Sequence, residues 1–345
     1  MSILTTILSI LGALLVISLL VVIHELGHYG VGRLLGFKIV EFAVGMGPKL
    51  FKFEKNGIIY SLRAFPIGGM CQFYGEDNAA ENDDCFNSKP AWKRMLVVLA
   101  GPVMNILFAV ILSIITLTAF GDYMPQIQGF VEDVPSVAQQ AGIEEGDFIL
   151  AIDGRSIAYY NDVSNVIAAA DGEEAVFTVE RNGEKLDITV KNLYNAELER
   201  NYMGVTIAAA RKSYSFSEAC AGSFRYTFAM VREMFSFFGT LFKGQIHSGD
   251  VMGFVGTIDL IGQAVRLGFE TVLRIAVLIS INLGIVNLLP FPALDGGRLV
   301  FLLFAIFGIR INERVEGIIH AVGLIILLGL MVLLTFGDVS RLIGG

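Results

Sequence analysis

The chain has 345 residues, of which 54% are hydrophobic and only 17% charged, and its mean hydropathy is +0.65. Soluble domains carry about 25% charged residues, so this composition excludes a wholly soluble protein and fits an integral membrane protein with room for one soluble domain. The formal net charge is −8, and residues 120–271 hold 21 acidic against 11 basic side chains, an excess that argues against nucleic-acid binding; the scattered Cys71, Cys85 and Cys220 imply no disulfide framework.

Four apolar stretches reach the roughly 20 residues that a spanning helix needs. They cover about 4–35, 94–119, 272–307 and 314–336. The first lacks a basic leading region, and Ile3–Ile23 runs on without a small-residue cleavage site, so it reads as a retained span rather than a signal peptide. Its end carries His24-Glu25-Leu26-Gly27-His28. Histidines at i and i+4 share a helical face and can both ligate Zn²⁺, while the Glu beside them can act as general base. Ionisable groups are costly in a bilayer, so three in one span mark a functional site.

The next segment, about 37–93, reads as a β-element. Its β-forming clusters are Phe42–Phe53, Ile58–Phe65 and Met70–Tyr74, separated by the hairpin signal Asn56-Gly57 and by Gly68-Gly69. Its edge, with Gly68, Gly69, Met70 and Gln72, lies near the metal motif and could pair with an extended substrate. The second span then completes an N-terminal membrane part, 1–122.

Residues 123–208 read as a compact α+β domain. Its strands are expected at Ile127–Val131, Phe148–Ile152, Ala175–Arg181 and Lys185–Val190, with a hairpin turn at Asn182-Gly183 and helical spacing over Asp162–Ala170. Within 209–271, the stretch 216–242 mixes Phe224, Phe228 and Phe235 with Arg225, Arg232 and Glu233, which fits an amphipathic helix on the membrane surface better than a span. The C-terminal membrane part, 272–345, opens with a span interrupted by Pro290, Pro292 and Gly296-Gly297. A broken helix at membrane depth is tolerated only where protein or a water-filled cavity covers it, so the break points to a buried site.

Basic residues flank 36–93 and 308–313, namely Arg33, Lys38, Lys89, Lys93, Arg94, Arg310 and Arg314. The excess of positive charge makes these segments cytoplasmic and leaves 120–271 and both termini outside. The expected fold is a polytopic α-helical membrane protein of about four spans, with a cytoplasmic β-hairpin element and one inserted extracytoplasmic α+β domain.

A catalytic zinc usually has three protein ligands and one open position. His24 and His28 supply two. His247 falls in a polar loop, and His320 lies deep in the last span without a neighbouring partner and reads as a satisfied core histidine, so both are poor candidates. Asp295, within the broken span, is the third choice; its alternative role is a cap for the restarting helix. Asn105 and Asn287 are polar groups in apolar spans that either bond a substrate backbone or join helices.

His24-Glu25-Leu26-Gly27-His28 together with Asn287…Pro290-Phe291-Pro292-Ala293-Leu294-Asp295-Gly296 resembles the site-2 protease family of intramembrane zinc metalloproteases, closest to its bacterial RseP/RasP type. Gly101-Pro102-Val103-Met104-Asn105 resembles that family's GPxxN segment, and Phe65-Pro66-Ile67-Gly68-Gly69 through Gly75-Glu76-Asp77 resembles its cytoplasmic β-loop. Val134-Pro135-Ser136, Ala141-Gly142-Ile143-Glu144-Glu145-Gly146-Asp147 and Asp153-Gly154 resemble a bacterial PDZ domain. The resemblance implies one Zn²⁺ on His24, His28 and Asp295, with Glu25 as the base, in a bacterial plasma membrane. It implies as substrates single-pass membrane proteins already cut by another protease, such as anti-sigma factors or signal-peptide remnants. Two departures stand out: there is room for one PDZ domain where two are common, and Gly253-Phe254-Val255-Gly256 stands where the family has Gly-Pro-Val-Gly. A transporter with a midplane ion site and an idle scaffold acting through the PDZ domain are the competing classes.

Overall fold

The computed structural model describes residues 3–76, 82–131, 136–157, 160–168, 174–195, 199–244, 251–309 and 311–344. The chain divides into two compact units, one of Leu117–Ala219 and one of the remainder. Among the described residues, four helices are long and apolar enough to cross a membrane: Ile3–Leu34, Ala91–Phe120, Phe269–Leu288 and Arg314–Arg341.

The larger unit starts with α1 (Ile3–Leu34), then β1 (Ile39–Lys55), β2 (Ile58–Phe73) and α2 (Ala91–Phe120). The outer side chains of α1, including Ile3, Leu4, Leu8, Leu11 and Leu15, have no protein cover, as suits a helix that is apolar all round. The β-element differs from expectation. It has two long strands, and β2 continues through Gly68-Gly69 where a break was expected. Both strands bend back on the sheet. Residues 49–55 pair with 58–63, while 39–44 lie between 59–62 on one side and 69–73 on the other, so that Ala43 faces both Ser61 and Met70. Segment 69–73 pairs only with 39–44 and is therefore an edge.

Buried Glu41 ties these layers together. It accepts from Lys49 Nζ at 2.7 Å, Ser61 Oγ at 2.6 Å and Arg63 Nη2 at 3.0 Å. Burial alone would raise its pKa, but these three donors hold the carboxyl down at about 2. An apolar cluster of Phe37, Ile39, Phe73, Phe86, Val97 and Leu302 seats the sheet against the helices.

The smaller unit contains β3 (Asp122–Phe130), α3 (Val137–Gln140), β4 (Phe148–Ile152), β5 (Arg155–Ser156) and α4 (Tyr160–Ala168). It continues with β6 (Glu174–Arg181), β7 (Glu184–Lys191), β8 (Tyr194–Asn195), β9 (Arg200–Asn201) and β10 (Val205–Lys212). The main sheet has the order β10-β3-β4-β6-β7, with β5 on β4. Ile127, Ile149, Ile152, Phe177 and Val179 fill its core. Fully buried Asp147 is neutralised by Arg181, with Nε and Nη2 each 2.8 Å from its oxygens. The last strand runs past residue 208, and residues 169 and 170 of the expected helix, like Val134 and Pro135, lie outside the described residues.

The chain then returns to the larger unit through α5 (Phe216–Phe242), α6 (Phe254–Leu267), α7 (Phe269–Leu288), α8 (Asp295–Ile306) and α9 (Glu313–Gly344). Helix α5 is amphipathic in a different sense from a helix that only floats on lipid. Met230, Val231, Met234 and Phe238 pack on Ala109, Val277, Ile281 and Ile285 of α2 and α7, while Phe224, Phe228 and Phe235 are exposed. At the start of α6, buried Asp338 of α9 accepts the Gly256 N–H at 2.8 Å and is paired with Arg341 at 2.9 Å. This cap comes from another helix. Phe254 occupies the first helical position, where a proline is favoured only because its missing N–H is not needed, so Phe there breaks nothing.

Candidate metal centre

Helices α1 and α2 meet where both are reduced to glycine. A Cβ on Gly27 would run into the Ala100 carbonyl oxygen, and one on Gly101 would run into His28 Nε2 and lie 2.9 Å from His24 Cε1. Small residues let two backbones close up in this way. The two imidazoles occupy the space that the missing side chain of Gly101 leaves.

Asp295 arrives from the helix break. After Leu288 the chain turns through Leu289–Leu294 and restarts at Asp295 as α8. Any Cβ on Gly296 would strike the Leu288 and Leu289 carbonyls, and one on Gly297 the Phe291 carbonyl, so the pair lets the new helix begin flush against the old one. Leu294 holds the cap position and no side chain caps the helix, so Asp295 is not its N-cap.

Three donor atoms converge. His24 Nε2 lies 3.2 Å from His28 Nε2 and 3.1 Å from Asp295 Oδ2, and His28 Nε2 lies 3.5 Å from the same oxygen. Among the described residues this is the one group of three such side chains gathered closely enough to hold a metal. With metal–ligand bonds of about 2.0–2.1 Å, two ligands of a tetrahedral ion sit roughly 3.3 Å apart, so the triangle matches one tetrahedral face. Asp295 Oδ2 is also buried and makes no hydrogen bond. A buried carboxylate oxygen in that state is costly unless a cation meets it. His28 Nδ1 is 2.8 Å from the Val97 carbonyl. A carbonyl only accepts, so Nδ1 carries the proton and Nε2 is left with its lone pair. The donor set fits zinc.

Glu25 stands next to this face on α1, with its carboxylate turned toward the backbone of Cys71 on β2. Gly69 is so close that a Cβ there would lie 2.9 Å from Glu25 Cγ. The strand edge and the carboxylate are therefore neighbours. The Phe73 N–H points away from β1 and is taken by a side chain, Glu76, at 3.2 Å. In a strand, N–H groups alternate sides, so Gly69, Cys71 and Phe73 turn their backbone groups outward while Met70 and Gln72 turn theirs toward β1. Of the four edge residues expected from the sequence, Gly69 thus faces out, Met70 and Gln72 face in, and Gly68, with φ of 81°, sits within the strand where its register with β1 shifts.

The two asparagines separate. Asn105 is fully buried, with its amide 3.2 Å from His24 Nδ1. Asn287, in the last turn of α7, is half-buried and makes no side-chain hydrogen bond to any described residue. His247 lies outside the described residues, as does Asp77. His320 has a partner in the fold. Its Nδ1 accepts the Ala293 N–H at 2.8 Å, and Ala293 has a φ of 77°, a left-handed conformation unfavourable for a residue with a Cβ. The identity of that partner was not legible in the sequence, because it is a backbone group that only the loop's path brings to His320.

The sequence profile of peptidase family M50 matches residues 12–330. The chain belongs to this family, the site-2 proteases. This M50 peptidase is 35% identical to a putative zinc metalloprotease of Clostridium perfringens, over 96% of this chain and 98% of the relative. It is 33% identical to one of Fusobacterium nucleatum, again over 96% and 98%. It is 28% identical to zinc metalloprotease RasP of Shouchella clausii, over 97% of this chain and 99% of that one. Among solved structures, the PDZ domain of an SdrC-like protein from Listeria monocytogenes covers 25% of this chain at 16% identity, with a TM-score of 0.21. The protein is thus a metalloprotease with apolar helices suited to a membrane, and the transporter and scaffold classes fall away.

His320→Ala removes the acceptor that holds the loop before Asp295 and is expected to reduce thermal stability by about 0.5–1.5 kcal/mol, the net contribution of one hydrogen bond. Ala293→Gly should recover about 1 kcal/mol of that loss, because glycine accepts positive φ. Equal losses in the two backgrounds, read by thermal unfolding with zinc present, would show that the contact holds no strain.

Proposed function

We propose that this M50 peptidase cuts peptide bonds inside the membrane segments of single-pass proteins that another protease has already shortened, using one Zn²⁺ per chain on His24, His28 and Asp295. The observation that carries this reading is the position of the donor triangle, with two of its corners on α1, one of the most apolar helices in the chain. Bound there, zinc polarises the scissile carbonyl and brings the pKa of a coordinated water near 7. Glu25 takes the proton from the attacking water and delivers it to the leaving amine. The edge of β2 at Gly69 packs against its side chain and limits where the carboxylate can point.

A helical membrane segment hides its carbonyls in i→i−4 bonds and must unwind before attack. Each freed backbone group costs several kcal/mol in apolar surroundings unless it finds a partner. The outward carbonyls of Gly69, Cys71 and Phe73 and the outward N–H of Gly69 offer such partners beside Glu25, and Asn287 is free to add another. Segments with Gly, Pro or polar residues are therefore expected to be cut about tenfold faster than uniform Leu helices, read by cleavage in proteoliposomes. Equal rates would rule out the clamp. N-methylation of alternate substrate amides near the scissile bond is the finer check, since only one of the two alternations should block pairing.

The acidic unit Leu117–Ala219 is read as a single PDZ domain on the outer face of a bacterial plasma membrane, with the metal site toward the cytoplasm. Basic residues at the ends of the spans support that orientation. Deleting 125–208 is expected to leave zinc content unchanged and to relax discrimination against substrates with bulky outer domains. Unchanged discrimination in a folded deletion variant would end the filter idea. The deciding experiment for the function as a whole is zinc content together with cleavage of a model membrane segment by the purified, reconstituted chain.

A further inference from the structure

Residues Val97, Gly101 and Asn105 fall at i, i+4 and i+8, so they line one face of α2, and that face is the one turned to the two histidines. Val97 offers its carbonyl to His28 Nδ1 at 2.8 Å. Gly101 leaves the space that the imidazoles fill. Asn105 meets His24 Nδ1 at 3.2 Å. The amide of Asn105 is fully buried, and His24 is its one side-chain partner among the described residues. Its backbone is pinned from the other side, where its carbonyl accepts the Ser280 hydroxyl at 2.8 Å. A buried amide with a single partner is there for that partner.

We propose that Asn105 is a positioning residue of the metal centre: its amide oxygen accepts the Nδ1–H of His24 and so fixes the tautomer that presents the Nε2 lone pair to the metal. This rests on the reading of His24 as a ligand. The two ends of an asparagine amide have the same shape, and which end faces a ring nitrogen follows from what the ring must do. If the amide nitrogen faced Nδ1, that ring atom would have to accept. The ring proton would then sit on Nε2, pointing at His28 Nε2 and Asp295 Oδ2, and no metal could bind there. With the oxygen facing Nδ1, both histidines are held in the same way, each by an acceptor from α2. As placed, the amide nitrogen faces Nδ1 and the buried oxygen at the far end meets no donor, so exchanging the two ends forfeits no hydrogen bond there. A substrate-binding role for Asn105 is then unnecessary, because its one contact is spent on His24.

The test is zinc affinity of the full-length, detergent-solubilised protein, measured by competition with a chromophoric chelator, with thermal stability followed in parallel. Asn105→Leu keeps the volume and removes the acceptor; it should weaken zinc binding 10–100-fold. Asn105→Asp can accept from Nδ1–H but cannot donate, and should stay within about threefold of wild type. A donating amide predicts the opposite for the Asp variant, with a loss as large as that of Leu, and that result overturns the proposal. A folded Leu variant with wild-type affinity overturns it too, since only packing would then be at stake. If the Leu variant does not fold, the Asp variant decides alone. His24→Ala separates the two levels of the argument. Zinc retained in that variant sinks the ligand reading itself, whereas zinc lost there but kept in Asn105→Leu sinks only the role of Asn105.

Discussion

Glu25→Gln is expected to keep its zinc and lose cleavage by a factor of about 10²–10⁴, the range that a positioned general base contributes. The reasoning starts from helix geometry. Residues at i and i+1 are about 100° apart around a helix, so Glu25 cannot share the face on which His24 and His28 converge. Its carboxylate instead points to the edge of β2, toward Gly69 and the Cys71 N–H. The amide of Gln also has an oxygen to turn there, so the local structure should survive. What it cannot do is accept a proton from water. Zinc stoichiometry by elemental analysis and cleavage of a reconstituted membrane segment would be read on the same preparation. Metal loss in step with activity would mean that Glu25 helps to hold the ion. Full activity would mean that another group is the base.

The parts of the site that follow from periodicity were legible in the sequence. A His-x-x-x-His spacing puts two rings side by side on any α-helix, and here their Nε2 atoms are 3.2 Å apart. A lone carboxylate in a proline-broken apolar stretch was equally visible, and it lies beside both rings. The parts that depend on main-chain groups were not legible. The Val97 carbonyl that holds His28 and the Ala293 N–H that engages His320 carry no residue-type signal, because every residue has a carbonyl and nearly every one has an N–H. The β-element misled for a different reason. Gly68-Gly69 reads as a turn, yet only Gly68 has positive φ, and the strand passes through the pair so that its far end can come back to pair with 39–44. Strand order depends on contacts distant in sequence, and local turn chemistry does not encode them. The reading of 216–242 shows the same limit. The mixture of aromatic and charged residues fixes an amphipathic helix, but whether its apolar flank meets lipid or the flank of α2 and α7 is decided by tertiary packing.

Asp295→Ala is expected to lose nearly all bound zinc and all measurable cleavage. Structural zinc sites are worth roughly 10–16 kcal/mol, so one of three protein ligands accounts for about 4 kcal/mol, or on the order of a thousandfold in affinity. The alternative role for this carboxylate is to favour the start of α8 through the helix dipole, which is worth only about 0.3–1 kcal/mol. The two roles therefore differ by several kcal/mol in what the substitution should do. They also differ in kind. A dipole role would leave zinc untouched and lower thermal stability slightly in the metal-free protein. A ligand role would leave the metal-free protein about as stable as wild type, or more so, because the substitution removes a buried carboxylate oxygen that has no hydrogen bond. It would also abolish the stabilisation that added zinc confers on the wild type. Asp295→Asn sharpens the comparison. The amide keeps the size and an acceptor oxygen but not the charge, so it should also fall far below wild type in zinc affinity. Thermal unfolding of the three proteins, each with and without zinc, reads all of these outcomes at once. A zinc-dependent rise in stability that is the same in all three would show that the metal is held elsewhere.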